Sequence, residues 1–121
     1  MAEITVNKLI NILPQIFIPE KAENARADIQ IIAKGSEGGE WGIRIHDQLC
    51  QVIEGKIENP DLSLTANTTD ILKMFLGELD PLKAYMQGKI QFKGRINHAL
   101  KLTELFLTDR PTIEALLVQD Q

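Results

Sequence analysis

The sequence predicts an α+β fold, in which helices cover one face of a largely antiparallel sheet of about five strands. Apolar and polar residues alternate through the middle of the chain, which is typical of half-buried strands. Apolar residues recur every three or four positions near both ends, which is typical of helices. Short polar or glycine-rich connections separate the alternating segments and predict hairpins. A chain of 121 residues suits one domain covering residues 1–121.

The amino-terminal half predicts helix followed by strands. Apolar residues at helical intervals predict a helix over residues 1–17, with a break at Pro14 because proline cannot donate the next helical hydrogen bond. A proline-led helical turn is expected over residues 18–22. The alternating segments predict four strands, over residues 27–34, 40–46, 49–54 and 61–66. The glycine-rich loop 35–39 and a tight turn at 47–48 should join the first three as hairpins.

Residues 68–95 predict two helices and the last strand. Residues 68–70 offer hydroxyl and carboxylate caps for the first helix. Asp80 and Pro81 then begin a second helix, and Gly88 ends it because glycine tolerates a positive φ. Apolar and basic residues alternate over residues 89–95, so this strand should have one buried and one solvated face.

Two helical segments are expected after the last strand. Asn97 can cap the first, and Asp109 with Pro111 predicts the start of the second, whose apolar residues span 112–118. Such a short helix must dock to be stable. Its apolar side either closes the core or makes residues 109–121 a removable lid, and both interpretations stay open.

Composition and charge argue against several classes of protein. The net charge is −4 and no basic run exceeds a pair, which disfavours nucleic acid as a partner and constitutive binding to an anionic membrane. A single cysteine, Cys50, excludes an intramolecular disulfide and fits a reducing compartment. We see neither a secretory signal nor a run of about 20 apolar residues. We therefore expect a cytoplasmic protein.

Residues capable of catalysis are sparse. His46 and His98 lie far apart and lack the spacing of a metal site, so we expect no metal, no cofactor and no catalytic residue. His46 beside Asp47 is better interpreted as a solvated side chain than as a general base. Loop 35–39 carries acidic residues and is interpreted as a hairpin connection rather than as a phosphate cradle.

A small basic patch is a weaker candidate site. Lys89, Lys93, Arg95 and Lys101 could bind a lipid head group or the phosphates of coenzyme A. Alternating charge along a strand is more often its solvated face, however.

One set of apolar residues is expected to converge from three helices and a strand. These residues are Phe75, Leu79, Tyr85, Met86, Phe92, Ile96 and Leu100. By composition alone, an ordinary packed core is the better interpretation of this cluster.

Two stretches form a distinctive succession: GELDPLKAYMQGKIQFKG at residues 77–94 and ALKLTELF at residues 99–106, with further matching residues upstream at 27–30, 38–41 and 59–64. In these stretches the chain resembles the sterol carrier protein type 2 family. This resemblance implies a soluble, non-catalytic lipid carrier with an apolar tunnel between sheet and helices. The seven residues of the apolar cluster would then bind a fatty acid, acyl-CoA, phospholipid, isoprenoid or sterol-like molecule.

Two features depart from the family pattern. Gln48 stands where family members often have glycine, and the chain ends Val118-Gln119-Asp120-Gln121, without the peroxisomal Ser-Lys-Leu address of animal members. The first affects turn geometry, and the second argues against a peroxisomal role.

Two other functions stay open. The chain could be an accessory module that presents a hydrophobic substrate, such as a quinone precursor, to partner enzymes. It could also be an enzyme that uses His46 and Asp47, which is the least favoured interpretation. Transient membrane contact, a homodimer and an enzyme partner are compatible with the sequence.

Overall fold

A computed structural model describes residues 4–95, 97 and 101–119 of the chain, with only the backbone at residue 119. Five strands form one sheet in the order β3-β2-β1-β4-β5. The strands are β1 (Ala27–Lys34), β2 (Gly39–His46), β3 (Leu49–Glu54), β4 (Leu62–Asn67) and β5 (Ile90–Gly94). Neighbouring strands are antiparallel except β1 and β4, which run parallel. The α+β fold with a largely antiparallel sheet is confirmed.

The inner face of the sheet forms the floor of the hydrophobic core. Ile29 lies in register with Ile43 on β2 and with Leu62 on β4, and all three are buried. On the next inner rung, Leu64 of β4 lies opposite Phe92 of β5. Side chains alternate between the two faces of a strand, so the apolar positions found in the sequence share one side.

Helix α1 (Val6–Ile16) covers part of this face and contacts β3. The Thr5 hydroxyl oxygen accepts a hydrogen bond from the Lys8 N–H and caps the helix. The predicted break at Pro14 was wrong, because the helix continues through Pro14 to Ile16. Pro14 has no N–H to donate to the carbonyl four residues earlier, and burial of Leu13 and Ile16 on either side of it holds the segment helical despite this loss.

The next helices are a 3₁₀ turn (Pro19–Ala22), as predicted, then α2 (Thr68–Phe75) and α3 (Pro81–Met86). The predicted cap of α2 was wrong, because the helix begins earlier in the chain than the predicted capping residues 68–70 require. Asn67 occupies the N-cap position, and residues 68–70 lie inside the helix. Asp80 is the N-cap of α3 and Pro81 its first residue, as predicted, although the Asp80 side chain makes no capping hydrogen bond.

The last described helix, α4 (Arg110–Gln119), begins where the sequence predicts. The Thr112 N–H donates to Oδ2 of Asp109 at 3.1 Å, so Asp109 caps the helix. Ile113 and Leu117 are buried, and α4 contacts α1. Its apolar side therefore contributes to the core in this structure.

The connection from β3 to β4 crosses the outer face of the sheet, opposite α1. Buried Gln30 holds it there: its Oε1 accepts from the Ile57 N–H at 2.8 Å, and its Nε2 donates to the Gly55 carbonyl at 3.1 Å and the Trp41 carbonyl at 3.2 Å. Ile57 packs so closely on Gly42 that a Cβ there would lie 2.3 Å from Ile57 Cγ2. This connection thus depends on the hydrogen bonds of Gln30 and on the absence of a side chain at Gly42.

The hairpin from β2 to β3 turns at Asp47 and Gln48, which both have positive φ, of 51° and 60°. Two successive positive φ values are the signature of the tightest hairpin turns. Nε2 of Gln48 donates to the Pro19 carbonyl at 3.1 Å. The residue that departs from the family's glycine therefore ties this turn to the 3₁₀ turn.

Candidate functional site

A cavity of about 400 Å³ opens between the inner face of the sheet and the chain segment that precedes α4. Its floor comes from β1 and β2, one wall from residues 101–105, and its mouth from the connection between the 3₁₀ turn and β1. The lining residues are Lys21, Glu23, Asn24, Ala25, Arg26, Ala27, Ile29, Ile45, Lys101, Leu102 and Leu105.

The inner part of the cavity is apolar. Ile29 and Ile45 are each 1% exposed, and Leu102 is buried on the opposite wall. Ala25 and Ala27 carry only methyl side chains, and the small volume of these side chains leaves space between the strand and the wall. Because the floor is almost closed to water, a long ligand requires the wall to move outward.

The mouth of the cavity is basic. Lys21, Arg26 and Lys101 line it and are exposed, whereas Glu23 is the only carboxylate among the described lining residues. Lysine and arginine form strong charge-assisted hydrogen bonds with carboxylates and phosphates. The arrangement suits an apolar chain inside and an anionic group at the opening.

The wall is anchored at its carboxyl-terminal end. The Ile18 N–H donates to the Leu105 carbonyl and the Leu107 N–H to the Ile16 carbonyl, both at 2.8 Å. The ring of Phe106 lies 5.6 Å from that of Phe17 and 6.0 Å from that of Phe75 between centroids. These contacts fix the wall at Phe106.

The structure separates the predicted lipid-binding residues. Phe75 is fully buried and packs edge-on against Phe106, and Leu79 is half-buried against the core. Tyr85 stacks on Phe92 with ring centroids 5.5 Å apart, at the edge of the sheet. Met86 is 76% exposed.

Ile96 and Leu100 lie outside the described residues. None of the other five lines the cavity described above. Their role in lipid binding stays a prediction.

Most residues of the cavity were not singled out from the sequence. Lys101 was, as part of the basic patch, whereas Ile29 and Ile45 belong to segments that were predicted only as strands. The useful signal was Ala25 and Ala27, two small residues at the start of a strand whose other inward residues are mostly larger.

Two other clefts are polar. One, of about 530 Å³, is lined by residues 23–26 and 46–48, and in it Nδ1 of His46 lies 3.2 Å from Oδ2 of Asp47. The other, of about 370 Å³, contains Lys34, Lys89 and Asp70. Neither offers an acyl chain an apolar wall comparable to that of the first cavity.

The part of the chain that the structure describes offers no metal-binding cluster and no activated thiol. No three His, Cys, Asp or Glu side chains there could hold a metal ion together. Burial raises the pKa of the Cys50 thiol to about 12, which makes it a poor nucleophile at neutral pH. No helix among the described residues has the length and apolar character needed to cross a bilayer.

Comparisons with known proteins agree on one family. A family model described as the SCP-2 sterol transfer family matches residues 15–107. Hydroxysteroid dehydrogenase-like protein 2 of Mus musculus is 31% identical over 101 residues, which are 83% of this chain and 21% of that protein. The chain thus spans about a fifth of the length of the curated relatives it matches.

Solved structures share the fold. Sterol carrier protein 2 like 2 from Aedes aegypti, in its palmitated form, matches 84% of this chain and 93% of its own with a TM-score of 0.63 and 24% identity. A stereoselective inverting sec-alkylsulfatase from Pseudomonas sp. matches 80% of this chain over 15% of its own, with a TM-score of 0.73 and 11% identity.

Proposed function

The chain belongs to the SCP-2 sterol transfer family, and from this premise we propose that it is a cytoplasmic, non-catalytic carrier that binds one lipid between the sheet and residues 101–105. The family match supports lipid binding and transfer. The observation that carries the choice of site is a cavity with an apolar floor and a basic mouth. The ligand class includes fatty acids, acyl-CoA, phospholipids, isoprenoids and sterol-like molecules, and the basic mouth favours those with an anionic group.

The size of the cavity and the hydrophobic effect are compatible with this role. Small-molecule sites commonly enclose roughly 300–1,000 Å³, and this cavity encloses about 400 Å³. Moving an acyl chain of sixteen carbons out of water gains at most ~13 kcal/mol, at 0.8 kcal/mol per methylene. Immobilising the chain offsets several kcal/mol of that gain. Useful affinity therefore needs no specific contact along the chain, so selectivity would come from length and head group.

The predicted lipid-binding residues fit an enlarged form of the same site. Phe75 lies behind Phe106, at the anchored end of the wall. If the wall between Leu102 and Leu105 moves outward, the space over the sheet extends toward Phe75 and β5. In this proposal Leu79 and Phe92, together with the other residues of the predicted apolar cluster, contact the far end of the lipid.

Charge reversal at the mouth tests the site. Arg26→Glu with Lys101→Glu should weaken binding of a fluorescent fatty acid about tenfold or more, because two attractive contacts become repulsive. The matched control is Lys56→Glu, an exposed residue outside the cavity that undergoes the same change of charge. The uncharged alcohol of the same chain should bind all variants equally well.

Cavity filling provides a second measurement. Ala25→Leu should reduce binding of both the acid and the alcohol, because it occupies the space that the methyl group leaves free. Two results together would show that lipid does not bind in this cavity. They are wild-type affinity in a folded Ala25→Leu variant and equal affinity for the fatty acid in the wild type and the charge-reversal variants.

A second candidate function is delivery of the bound lipid to an enzyme. It is favoured by the relatives, since the chain matches about a fifth of proteins named as hydroxysteroid dehydrogenase-like. Here the chain would present a hydrophobic substrate, a quinone precursor included, to a separate catalytic partner. This role is supported if a pull-down with the chain captures a dehydrogenase or other biosynthetic enzyme and if the chain exchanges free lipid slowly. It is contradicted if the chain exchanges free lipid fast and captures no enzyme.

A further inference from the structure

We propose that the edge of the sheet formed by α3 and β5 docks on an anionic lipid bilayer. We call it the α3–β5 edge and define it by residues 81–95. The inference goes beyond lipid binding in the cavity, because it concerns where the protein stands while a lipid enters or leaves. It rests on exposed apolar side chains, on an unbalanced charge distribution and on the position of the edge in the sheet.

Helix α3 presents apolar side chains to solvent. Leu82 is 46% exposed, Tyr85 39% and Met86 76%, and they lie within one helix of six residues. Ala84 is the buried residue of the same helix. The helix is held on β5 by the Tyr85–Phe92 ring contact and by a hydrogen bond from the Lys89 N–H to the Ala84 carbonyl. The apolar patch is therefore carried on an anchored helix.

Positive charge is concentrated in the α3–β5 edge and in the eight residues that follow it. Residues 81–103 contain five of the 13 Lys and Arg residues and none of the 17 Asp and Glu residues. This segment therefore carries +5 while the rest of the chain carries −9, although the net charge is only −4. The expectation from net charge alone, that constitutive binding to an anionic membrane is disfavoured, overlooks this separation.

The charges on the α3–β5 edge are not neutralised locally. Lys83, Lys89, Lys93 and Arg95 are exposed, and none of them forms an ion pair with another residue that the structure describes. Lys89 and Lys93 project from the face of β5 opposite Phe92, because side chains alternate along a strand. Basic side chains thus project from one face of the strand, while the helix that carries the apolar side chains packs against Phe92 on the other face.

This combination fits a bilayer better than a soluble partner. Apolar side chains with neighbouring lysines bind at the interface, where the side chains enter the acyl boundary and the ammonium groups meet lipid phosphates. Nucleic acid would use the charges but not Leu82 or Met86. An anionic bilayer repels the rest of the chain, which carries a net charge of −9. The protein therefore turns the α3–β5 edge toward the bilayer.

The docked orientation is also useful for a carrier. Lys101, at the mouth of the cavity, belongs to the same acid-free segment. A small apolar patch with a few lysines gives weak, salt-sensitive attachment rather than permanent anchoring. The protein can therefore leave the surface with its lipid.

Vesicle sedimentation with the full chain tests the proposal. The protein should sediment with vesicles of phosphatidylcholine mixed with phosphatidylglycerol, remain in the supernatant with phosphatidylcholine alone, and be released by added sodium chloride. The paired variants Leu82→Gln with Met86→Gln, and Lys89→Gln with Lys93→Gln, should each lower the bound fraction several-fold. All four positions are exposed, so circular dichroism should show an unchanged fold.

Two control variants distinguish binding through the α3–β5 edge from nonspecific adsorption to vesicles. Leu49→Gln removes an apolar side chain that is 63% exposed on β3, the opposite edge of the sheet, and Lys56→Gln removes a charge elsewhere. Both should bind like the wild type. The proposal is overturned by absence of binding to the mixed vesicles, by equal binding to both vesicle types, or by controls as weak as the edge variants. The assay contains no transferred lipid, so a failure of cavity binding would not affect its result.

Discussion

The guanidinium of Arg110 forms two hydrogen bonds with the carboxylate of Glu78, from Nε to Oε2 and from Nη2 to Oε1, both at 2.8 Å. Nη1 also donates to Oε1 of Glu114, one turn along α4, at 3.2 Å. The first turn of α4 is thereby joined to the loop that follows α2. Paired bonds of this geometry fix orientation as well as distance.

Loss of the charge on Glu78 should loosen α4. In Glu78→Gln, we expect amide hydrogen exchange over residues 112–118 to become a few-fold faster, because the bidentate contact is lost while the size of the side chain is kept. Glu114→Gln is the matched control and should have a smaller effect, since it removes one longer bond. Equal exchange rates in wild type and Glu78→Gln would show that burial of Ile113 and Leu117 alone holds the helix.

The same contact should make α4 sensitive to acid. Arg110 holds the pKa of Glu78 below its ordinary value of 4.5, first through their hydrogen bonds and then through their charges. Since the folded-state pKa is depressed, the stabilisation is complete above pH 4.5 and is lost as the pH falls through the lowered value. The protection factors of the α4 amides, which measure how much slower exchange is than in the unstructured chain at the same pH, should fall down this range in the wild type and fall less in Glu78→Gln. Parallel profiles would contradict the assignment.

Gln30 should be hard to replace although it lies on the outer face of the sheet. Gln30→Leu removes the partners of the Ile57 N–H and of two carbonyls. We expect the free energy of unfolding in urea to fall by about 2–3 kcal/mol, because buried polar groups are left unsatisfied. Gln91→Leu changes an exposed glutamine on β5 and should leave this free energy nearly unchanged. Equal effects would show that Gln30 is not an anchor.

Two glycines with similar backbones should differ sharply in their tolerance of alanine. Gly94 has a φ of 111°, and a Cβ there would lie 2.3 Å from the Asp61 carbonyl oxygen; Gly55 has a φ of 92° and open space around the same position. Gly55→Ala should cost only the backbone strain of about 1–2 kcal/mol. Gly94→Ala should lower the melting temperature further, because β5 must shift away from residue 61. Similar melting temperatures would contradict the close approach.

The Cys50 thiol should react slowly while the protein is folded. Burial raises its pKa to about 12, so little thiolate exists at pH values near 8, and thiolate is the reactive form. Iodoacetamide labelling followed by mass spectrometry should be much slower in native buffer than in urea. A native rate equal to the unfolded rate would mean that Cys50 is not desolvated.

Periodicity was sufficient to predict the strands but not their order. The alternation of Ile29, Ile43, Leu62 and Phe92 with polar residues predicts which face each strand buries. It carries no information on neighbours, so the parallel pairing of β1 with β4 was not predicted. The outer-face crossing was also missed, because Gln30 has the same polar character as a solvated residue and only its tertiary partners distinguish it.

The candidate site was less predictable than the fold. Helical spacing places Leu82, Tyr85 and Met86 on one side of α3, yet these residues are exposed beside an edge strand. Spacing predicts a shared face and leaves open what covers it. Cavities arise where side chains are too small to meet, as at Ala25 and Ala27, and a sequence does not state the width of the gap.

The central position of β1 has a consequence for synthesis on the ribosome. The hairpin meander of β1, β2 and β3 can form as soon as it emerges, but its first strand keeps an unpaired edge until β4 follows. An open strand edge is a template for pairing with other chains. Between the emergence of residue 54 and that of residue 67, the nascent chain therefore exposes a strand edge that the finished sheet buries at its centre.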